Sequence, residues 1–336
     1  MKISASRSAR RLTVSACAIA AFAAAVPAAE AKPVAAELRV QAEQKTLVSG
    51  QTYLTDTTGI TTDPSDSCGG SGEAKTVDGP SALGLLIDAA GVNRALRPLG
   101  ISDEFDFGLL VCSIGGVESD DTAFWLYKVN HAAPEVGADQ RKVRAGDEVL
   151  WYFSNTATGR NTGDELALTA PARVRPFTTF DVRVTAYDAE GEATPAVNAR
   201  VVYGQQRVTT DAKGVAEVTS GSGPVLRLRA VRGKDVASAP ERVCVAKKLS
   251  ICATVPTVTL NGTADADRIK GTGAPEEIKG YGGRDRIDAR GGGHDLVRCG
   301  RGIDRALIDR TDAVGRDCEF VNGRKRKRPY GSGARR

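Results

Sequence analysis

The sequence predicts a multidomain, mostly β protein: a small α+β domain, then an antiparallel β-sandwich, then a short parallel β-solenoid. Three observations lead there. One apolar stripe at helical spacing lies among strand-like segments before residue 155. From Phe180 to Val245, strand segments with period-two alternation follow one another with no helical stretch. From Asn261 to Glu319, an acidic residue recurs two places before an aliphatic one. The pairs are Asp267/Ile269, Glu276/Ile278, Asp285/Ile287, Asp295/Val297, Asp304/Ala306 and Asp312/Val314, with acidic spacings of 9, 9, 10, 9 and 8. That period is too short for a helical repeat and matches the nonapeptide of a parallel β-solenoid.

The chain begins with a basic lead (Lys2, Arg7, Arg10, Arg11), an apolar run from Leu12 to Val26 and the small-x-small triplet Ala29-Glu30-Ala31. This reads as a secretory signal peptide over 1–31, with both general and twin-arginine export open. No other apolar run is long enough to span a membrane, so the expectation is an exported chain with no transmembrane span and an extracellular or cell-surface location. Seven cysteines become six once Cys17 leaves with the signal, and in an oxidising compartment an even number implies disulfides. They fall two per segment, which predicts Cys68–Cys112, Cys244–Cys252 and Cys299–Cys318. Each would contribute roughly 2.5–4 kcal/mol by loop entropy. With no CxxC pair, metal ligation by these thiols is not expected.

Net charge is +5, and much of the excess lies in the terminal residues Arg324, Lys325, Arg326, Lys327, Arg328, Arg335 and Arg336. For an exported chain this argues for a solvated tail over 321–336. Its expected partner is an anionic polymer of the cell envelope, not nucleic acid.

The first domain is expected over 32–170. Its helix opens at Gly79-Pro80, shows the stripe Leu83, Leu86, Ile87, Ala90 and closes at Gly91. Strands are expected at Leu109–Ile114, Phe124–Val129 and Glu148–Phe153. The segments DGPSALGLLIDAAGV, AFWLYKVN and AGDEVLWYFS resemble, in order, the transcobalamin-C-terminal-like domain. That resemblance covers about 36–155 and implies a β-grasp-like fold. In vitamin carriers the related domain covers one face of cobalamin, but no residue here carries that role over. The family's usual Val-Asn-Gly turn is Val129-Asn130-His131 in this chain. His131 reads as an exposed turn residue, and Trp125, Tyr127, Trp151 and Tyr152 read as core and sheet packing.

The second domain is expected over 171–254, after Pro171 and Pro176. Asp211-Ala-Lys-Gly214 marks a hairpin, and TTDAKGVAEV resembles bacterial Ig-like and carboxypeptidase-regulatory-like (prealbumin-like) modules.

The third is expected over 255–320. In a nonapeptide G-G-x-G-x-D-x-U-x the turn needs glycine, and carboxylates with backbone carbonyls supply the six to eight oxygens that Ca²⁺ prefers. The stretch resembles the haemolysin-type (RTX) calcium-binding repeat. Gly283/Asp285, Gly293/Asp295 and Gly302/Asp304 fit best, and Asp267 and Glu276 complete the candidate ligands. The first two turns depart from the pattern with Asp265 and Ala274 where glycine is expected. Arg268, Arg284, Arg286 and Arg305 stand beside the carboxylates, so a metal-independent solenoid neutralised by arginine is the competing reading. Asn261-Gly262-Thr263 also fits the glycosylation sequon.

Neither HExxH, GxSxG nor GxxxxGK[ST] occurs, and the two histidines, His131 and His294, lie in different segments. The function expected is therefore non-enzymatic: a secreted, calcium-binding extracellular protein for binding or adhesion. The alternatives are a small-molecule (cobalamin-like ligand) binding protein acting through the first domain, and a metal-independent structural surface protein.

Overall fold

The structure, a computed structural model, describes residues 33–326 apart from 44, 255 and 257. The expected signal peptide and the tail beyond 326 lie outside the described residues. The fold is mostly β, distributed over several sheets, with one α-helix at Ala82–Val92 among the described residues.

In the first module, Val34–Gln41 and Thr46–Thr55 form an antiparallel hairpin. Val34–Gln41 also runs parallel to Glu148–Asn155, which in turn pairs antiparallel with Ala123–Val129. The helix lies on this mixed sheet because its apolar residues Leu83, Leu86, Ala89 and Ala90 share a core with Leu38, Val40, Trp125, Trp151 and Phe153. This is the β-grasp arrangement expected. The helix ends differ from expectation. Ser81, not Pro80, is the N-cap, and its hydroxyl accepts the Gly84 N–H at 3.0 Å. Gly91 lies inside the helix, and Asn93 ends it with an extended backbone while its side chain caps the following turn at Ala95. Because Asn93 serves both segments, no left-handed glycine is needed there. The bond Cys68–Cys112, with Cα atoms 5.4 Å apart, ties the preceding loop to the strand Leu110–Ile114.

The second module packs two sheets around Leu166, Val182, Val184, Val201, Val218, Leu228 and Val243. Its first strand, Glu165–Thr169, lies before the boundary expected at 170. It pairs antiparallel with Thr179–Tyr187, so the sandwich starts earlier than Pro171. Cys244–Cys252 closes the exit loop, with Cα atoms 5.7 Å apart.

The third module is a two-sided parallel stack. One side carries Val258–Asn261, Glu276–Lys279, Leu296–Arg298 and Ala313–Val314. The other carries Arg268–Lys270, Arg286–Asp288, Arg305–Leu307 and Phe320–Val321. Each nonapeptide therefore makes half a coil, and two repeats complete one turn. The aliphatic positions align in register inside, as Leu260, Ile278 and Val297 on one side and Ile269, Ile287 and Ala306 on the other. Cys299–Cys318, both fully buried and with Cα atoms 5.1 Å apart, fastens the last coils. The solvated tail expected from 321 is corrected in part. Arg324–Lys325 turns back to pair with Phe320–Val321, because Asn322-Gly323, both at positive φ, form a two-residue hairpin turn.

The modules are not beads on a string. Val258–Asn261 runs parallel to Thr46–Thr55, with Leu260 opposite Thr52 and Asn261 opposite Tyr53, so one sheet continues from the first module into the solenoid. Leu54 joins the solenoid core. The hairpin edge is thereby paired, and the open end of the stack is capped by another module. Asn261 is fully buried, and its side-chain amide donates to the Thr52 carbonyl at 3.0 Å. The sequon is thus a structural asparagine in this fold.

Candidate metal centre

The acidic residues of the repeats stand at the start of each half-coil strand, two places before the inward aliphatic residue. Strand alternation sends both inward and the intervening residue outward, an arginine after Asp267, Asp285 and Asp304. Asp285, Asp295 and Asp304 are 0%, 1% and 0% exposed, and Asp267 and Glu276 are also buried. Arg268, Arg286 and Arg305 are exposed, as is Arg284, and among the described residues none of the four forms an ion pair with these carboxylates. The arginine neutralisation of the competing reading is not seen among the described residues, because the pleat that buries the acid turns its neighbour to solvent.

Asp285, Asp295, Asp304, Asp312 and Glu319 each use one oxygen to bind the backbone of the preceding coil. Asp285 Oδ1 accepts the Asp267 N–H at 3.0 Å, and Asp304 Oδ1 accepts that of Asp285 at 2.9 Å. Glu319 accepts that of Asp304 at 3.0 Å. On the other side Asp295 Oδ1 accepts from Glu276 at 2.9 Å, and Asp312 from Asp295 at 3.1 Å.

The second oxygen divides the repeats into two kinds. In the two turns that depart from the glycine pattern, threonine supplies the donor. Thr263 N–H donates to Asp267 Oδ2 and Thr272 N–H to Glu276 Oε2, each at 2.7 Å. In the glycine-rich turns nothing does, and Asp285 Oδ2, Asp295 Oδ2 and Asp304 Oδ2 are buried with no hydrogen-bond partner. Burial, with the neighbouring Asp267 and Asp304 charges adding to it, pushes Asp285 up to about 7, while its bond from Asp267 N–H opposes the shift. Asp295 is pushed up to about 6 and Asp304 is raised, in both cases chiefly by burial.

Backbone oxygens crowd the glycines of these turns. A Cβ on Gly280 would collide with both Asp285 Oδ2 and the Cys299 carbonyl of the next coil. Gly283, Gly293 and Gly302 have φ of +93°, +82° and +148°. A Cβ on Gly293 would come within 2.8 Å of the Ala274 carbonyl oxygen, and one on Gly283 or Gly302 would strike the Asp265 or Gly283 carbonyl. Glycine is required for the backbone conformation and for the close stacking of coils. At Asp285 the partnerless oxygen and the Cys299 carbonyl crowd the same glycine, an all-oxygen pairing of the kind a hard divalent cation takes.

A second acidic group was not visible in the sequence. Among the described residues, His131, Glu148 and Glu165 bring ligand atoms within 4.8 Å of one another where the first two modules meet. Cations of the chain itself already occupy this cluster. Arg39 Nη2 bonds Glu165 Oε1 at 2.6 Å, and Lys128 Nζ lies 3.9 Å from Glu165 Oε2. His131 is not the exposed turn residue expected. It takes φ +73°, stacks on Tyr187 with ring centroids 3.9 Å apart and sets Nδ1 3.1 Å from Glu165 Oε1. The signal was the histidine standing where the resembling family places glycine. At its left-handed φ the histidine side chain reaches Glu165 of the next module. Trp125 and Trp151 are buried in the first core, as expected of packing residues.

Comparison with known proteins touches the first module. Residues 96–155 match a family model described as a domain of unknown function, DUF4430. Of the curated proteins, none matches. Among solved structures, haptocorrin in complex with Cbi is similar at 14% identity and a TM-score of 0.27. The match covers 37% of this chain and 25% of haptocorrin, so the chain spans about a quarter of that protein's length. Among the described residues no helix is long and apolar enough to cross a membrane.

Proposed function

We propose that this is an exported, non-enzymatic protein whose C-terminal solenoid binds calcium and is ordered by it outside the cell, where it serves binding or adhesion. The observation that carries the reading is the set of buried, partnerless oxygens of Asp285, Asp295 and Asp304 beside glycine turns. An unpartnered buried acceptor costs about 1–3 kcal/mol, and more when charged, so three in one stack call for a cation or protons. Calcium suits the site because its coordination is all oxygen and tolerant of irregular geometry. Asp285, Asp295 and Asp304 would hold the ion with nearby backbone carbonyls. Asp267 and Glu276, whose second oxygens are taken by threonine, would act as structural members of the ladder. The three disulfides and the signal-like N-terminus support export.

The test uses the full chain, since the solenoid shares a sheet with the first module. Thermal melting is followed with calcium, with magnesium and with chelator. At calcium 100-fold above its dissociation constant the expected gain is about 2.7 kcal/mol. A melt identical in calcium and chelator, together with no heat of calcium binding by calorimetry, would overturn the reading.

A further inference from the structure

The outward face of the second solenoid sheet carries a row of cations that no carboxylate among the described residues pairs. Strand pairing sets Arg268 opposite Arg286, Arg286 opposite Arg305, Arg305 opposite Phe320, and Phe320 opposite Lys325. Residues opposite one another in a ladder project from the same face, so four cations and one aromatic ring stand in a line across five strands. At about 4.8 Å between strands the row is about 19 Å long. Arg268, Arg286, Arg305 and Lys325 are exposed, and among the described residues none of them forms an ion pair. Arg305 lies over the Phe320 ring at 5.6 Å. A groove of about 730 Å³ runs along the row, lined by Arg268, Arg286, Arg305, Phe320 and Leu307 among others. The nearest acid of this face, Asp288, is already held by Arg290 through two bonds of 2.8 Å.

Like charges directly opposite on neighbouring strands destabilise a sheet. Apart from the Arg305–Phe320 contact, the row is thus a cost to folding, at the same repeat position in three successive coils. The same pleat that buries Asp267, Asp285 and Asp304 presents it outward.

We propose that this row is a binding groove for a linear anionic polysaccharide carrying one carboxylate per sugar, which lies across the strands with successive carboxylates on successive cations. Three features select that occupant. The cations advance in one direction by one strand spacing each, which fits a linear polymer with closely spaced charges. Arginine binds carboxylate bidentately. Phe320 offers a ring face on which the apolar face of a sugar can stack. The site is separate from the calcium ladder, which faces the interior of the same coils.

The test is calorimetric titration of the full chain, in fixed calcium, with a short oligogalacturonate. Its methyl-esterified, uncharged counterpart is the control. The acidic oligomer should bind, weakening as salt rises, and the ester should not. The triple variant R268Q/R286Q/R305Q should lose about tenfold or more in affinity. A control variant with the same charge removed from the exposed arginines Arg94, Arg144 and Arg207 should lose less than about threefold, as distant screened charges would. The triple lysine variant R268K/R286K/R305K, which keeps the charge and removes the bidentate fork, should fall between the two. Melting of each variant confirms that it is folded. Equal losses in the row and control variants would show diffuse attraction and overturn the proposal. Equal binding of the ester, or no binding of the acidic oligomer by the folded native chain, would overturn it as well.

Discussion

Where the first two modules meet, Arg39 and Glu165 are both almost fully buried and bonded at 2.6 Å, with Lys128, His131 and Glu148 around them. In the solenoid, Asp285, Asp295 and Asp304 are equally buried, yet each keeps one oxygen without a partner. Both regions remove carboxylates from water, but only the first supplies the compensating cations from the chain. Lys128 also donates to the Tyr187 carbonyl at 3.2 Å and to that of Asp188, so the module contact is written in charge and backbone together. Glu165 Oε2 also lacks a hydrogen-bond partner, but Lys128 Nζ lies 3.9 Å from it. The difference therefore separates a junction whose charge the chain itself balances from a module that awaits something from its surroundings. Variants that remove one partner in each region should then behave in opposite ways.

The largest effect is expected at the junction. Arg39→Met removes the closest cation from buried Glu165, leaving only Lys128 at 3.9 Å and His131 beside it, and should cost about 3–5 kcal/mol in chemical unfolding. Pairing it with Glu165→Leu should recover most of that loss, since a buried pair can be replaced by apolar groups more cheaply than it can be broken. Calcium should change neither result. A loss under 1 kcal/mol for Arg39→Met alone would show that the junction is not held by this pair.

Opening the solenoid staple comes next. Removing Cys299–Cys318 by a double alanine substitution should cost about 3 kcal/mol on the loop-entropy account. It should also widen the gap between melts in calcium and in chelator, because the last coils would then depend on the ion alone. If the gap does not widen, staple and cation do not hold the same coils.

Asp285→Asn sharpens the contrast through its sign. Its Oδ1 keeps the bond from Asp267 N–H, and the new amide can donate to the carbonyl oxygens that gather there. In chelator the variant should be more stable than the native chain by about 1–3 kcal/mol, the cost of the orphaned acceptor. In calcium it should be less stable. Arg39 has no such reversal, so the same sign in both buffers for Asp285→Asn would erase the distinction between the regions.

Much of the solenoid was legible because one inward position repeats every nine residues or so. The sequence period does not tell whether a repeat is a whole coil or half of one, since alternate units pair in space and the two sides look alike. The direction of the arginines was readable: Asp267, Arg268 and Ile269 alternate with period two, so an inward acid and aliphatic residue force the arginine out. Docking of Val258–Asn261 on Thr46–Thr55 was not readable, because it is made largely by backbone groups. The Arg39–Glu165 pair joins residues 126 apart through a strand that sits before the apparent boundary. Only His131, in a glycine position, hinted that the two modules touch.

The smallest effect concerns pH, again at the junction. His131 is raised above its ordinary 6.5 chiefly by the Glu165 carboxylate, against burial. Burial pushes Glu165 upward, but His131, Arg39 and Lys128 outweigh it and hold the carboxyl below its ordinary 4.5. A raised histidine gives stability that is complete below its unfolded value and is lost as pH rises through the folded one. A lowered carboxylate gives stability that is present above its unfolded value and is lost as pH falls through the folded one. The junction should therefore be firmest between the two ordinary values, roughly pH 4.5 to 6.5, and weaken on either side. His131→Gln should remove the alkaline fall, an effect under about 1 kcal/mol for a partly exposed histidine, and leave the acid limb in place. Unfolding midpoints of both chains, measured across pH 4–9 in fixed calcium, decide it. An unchanged alkaline fall in the variant would assign it to other groups and leave the junction's charge balance to Arg39, Lys128 and Glu165.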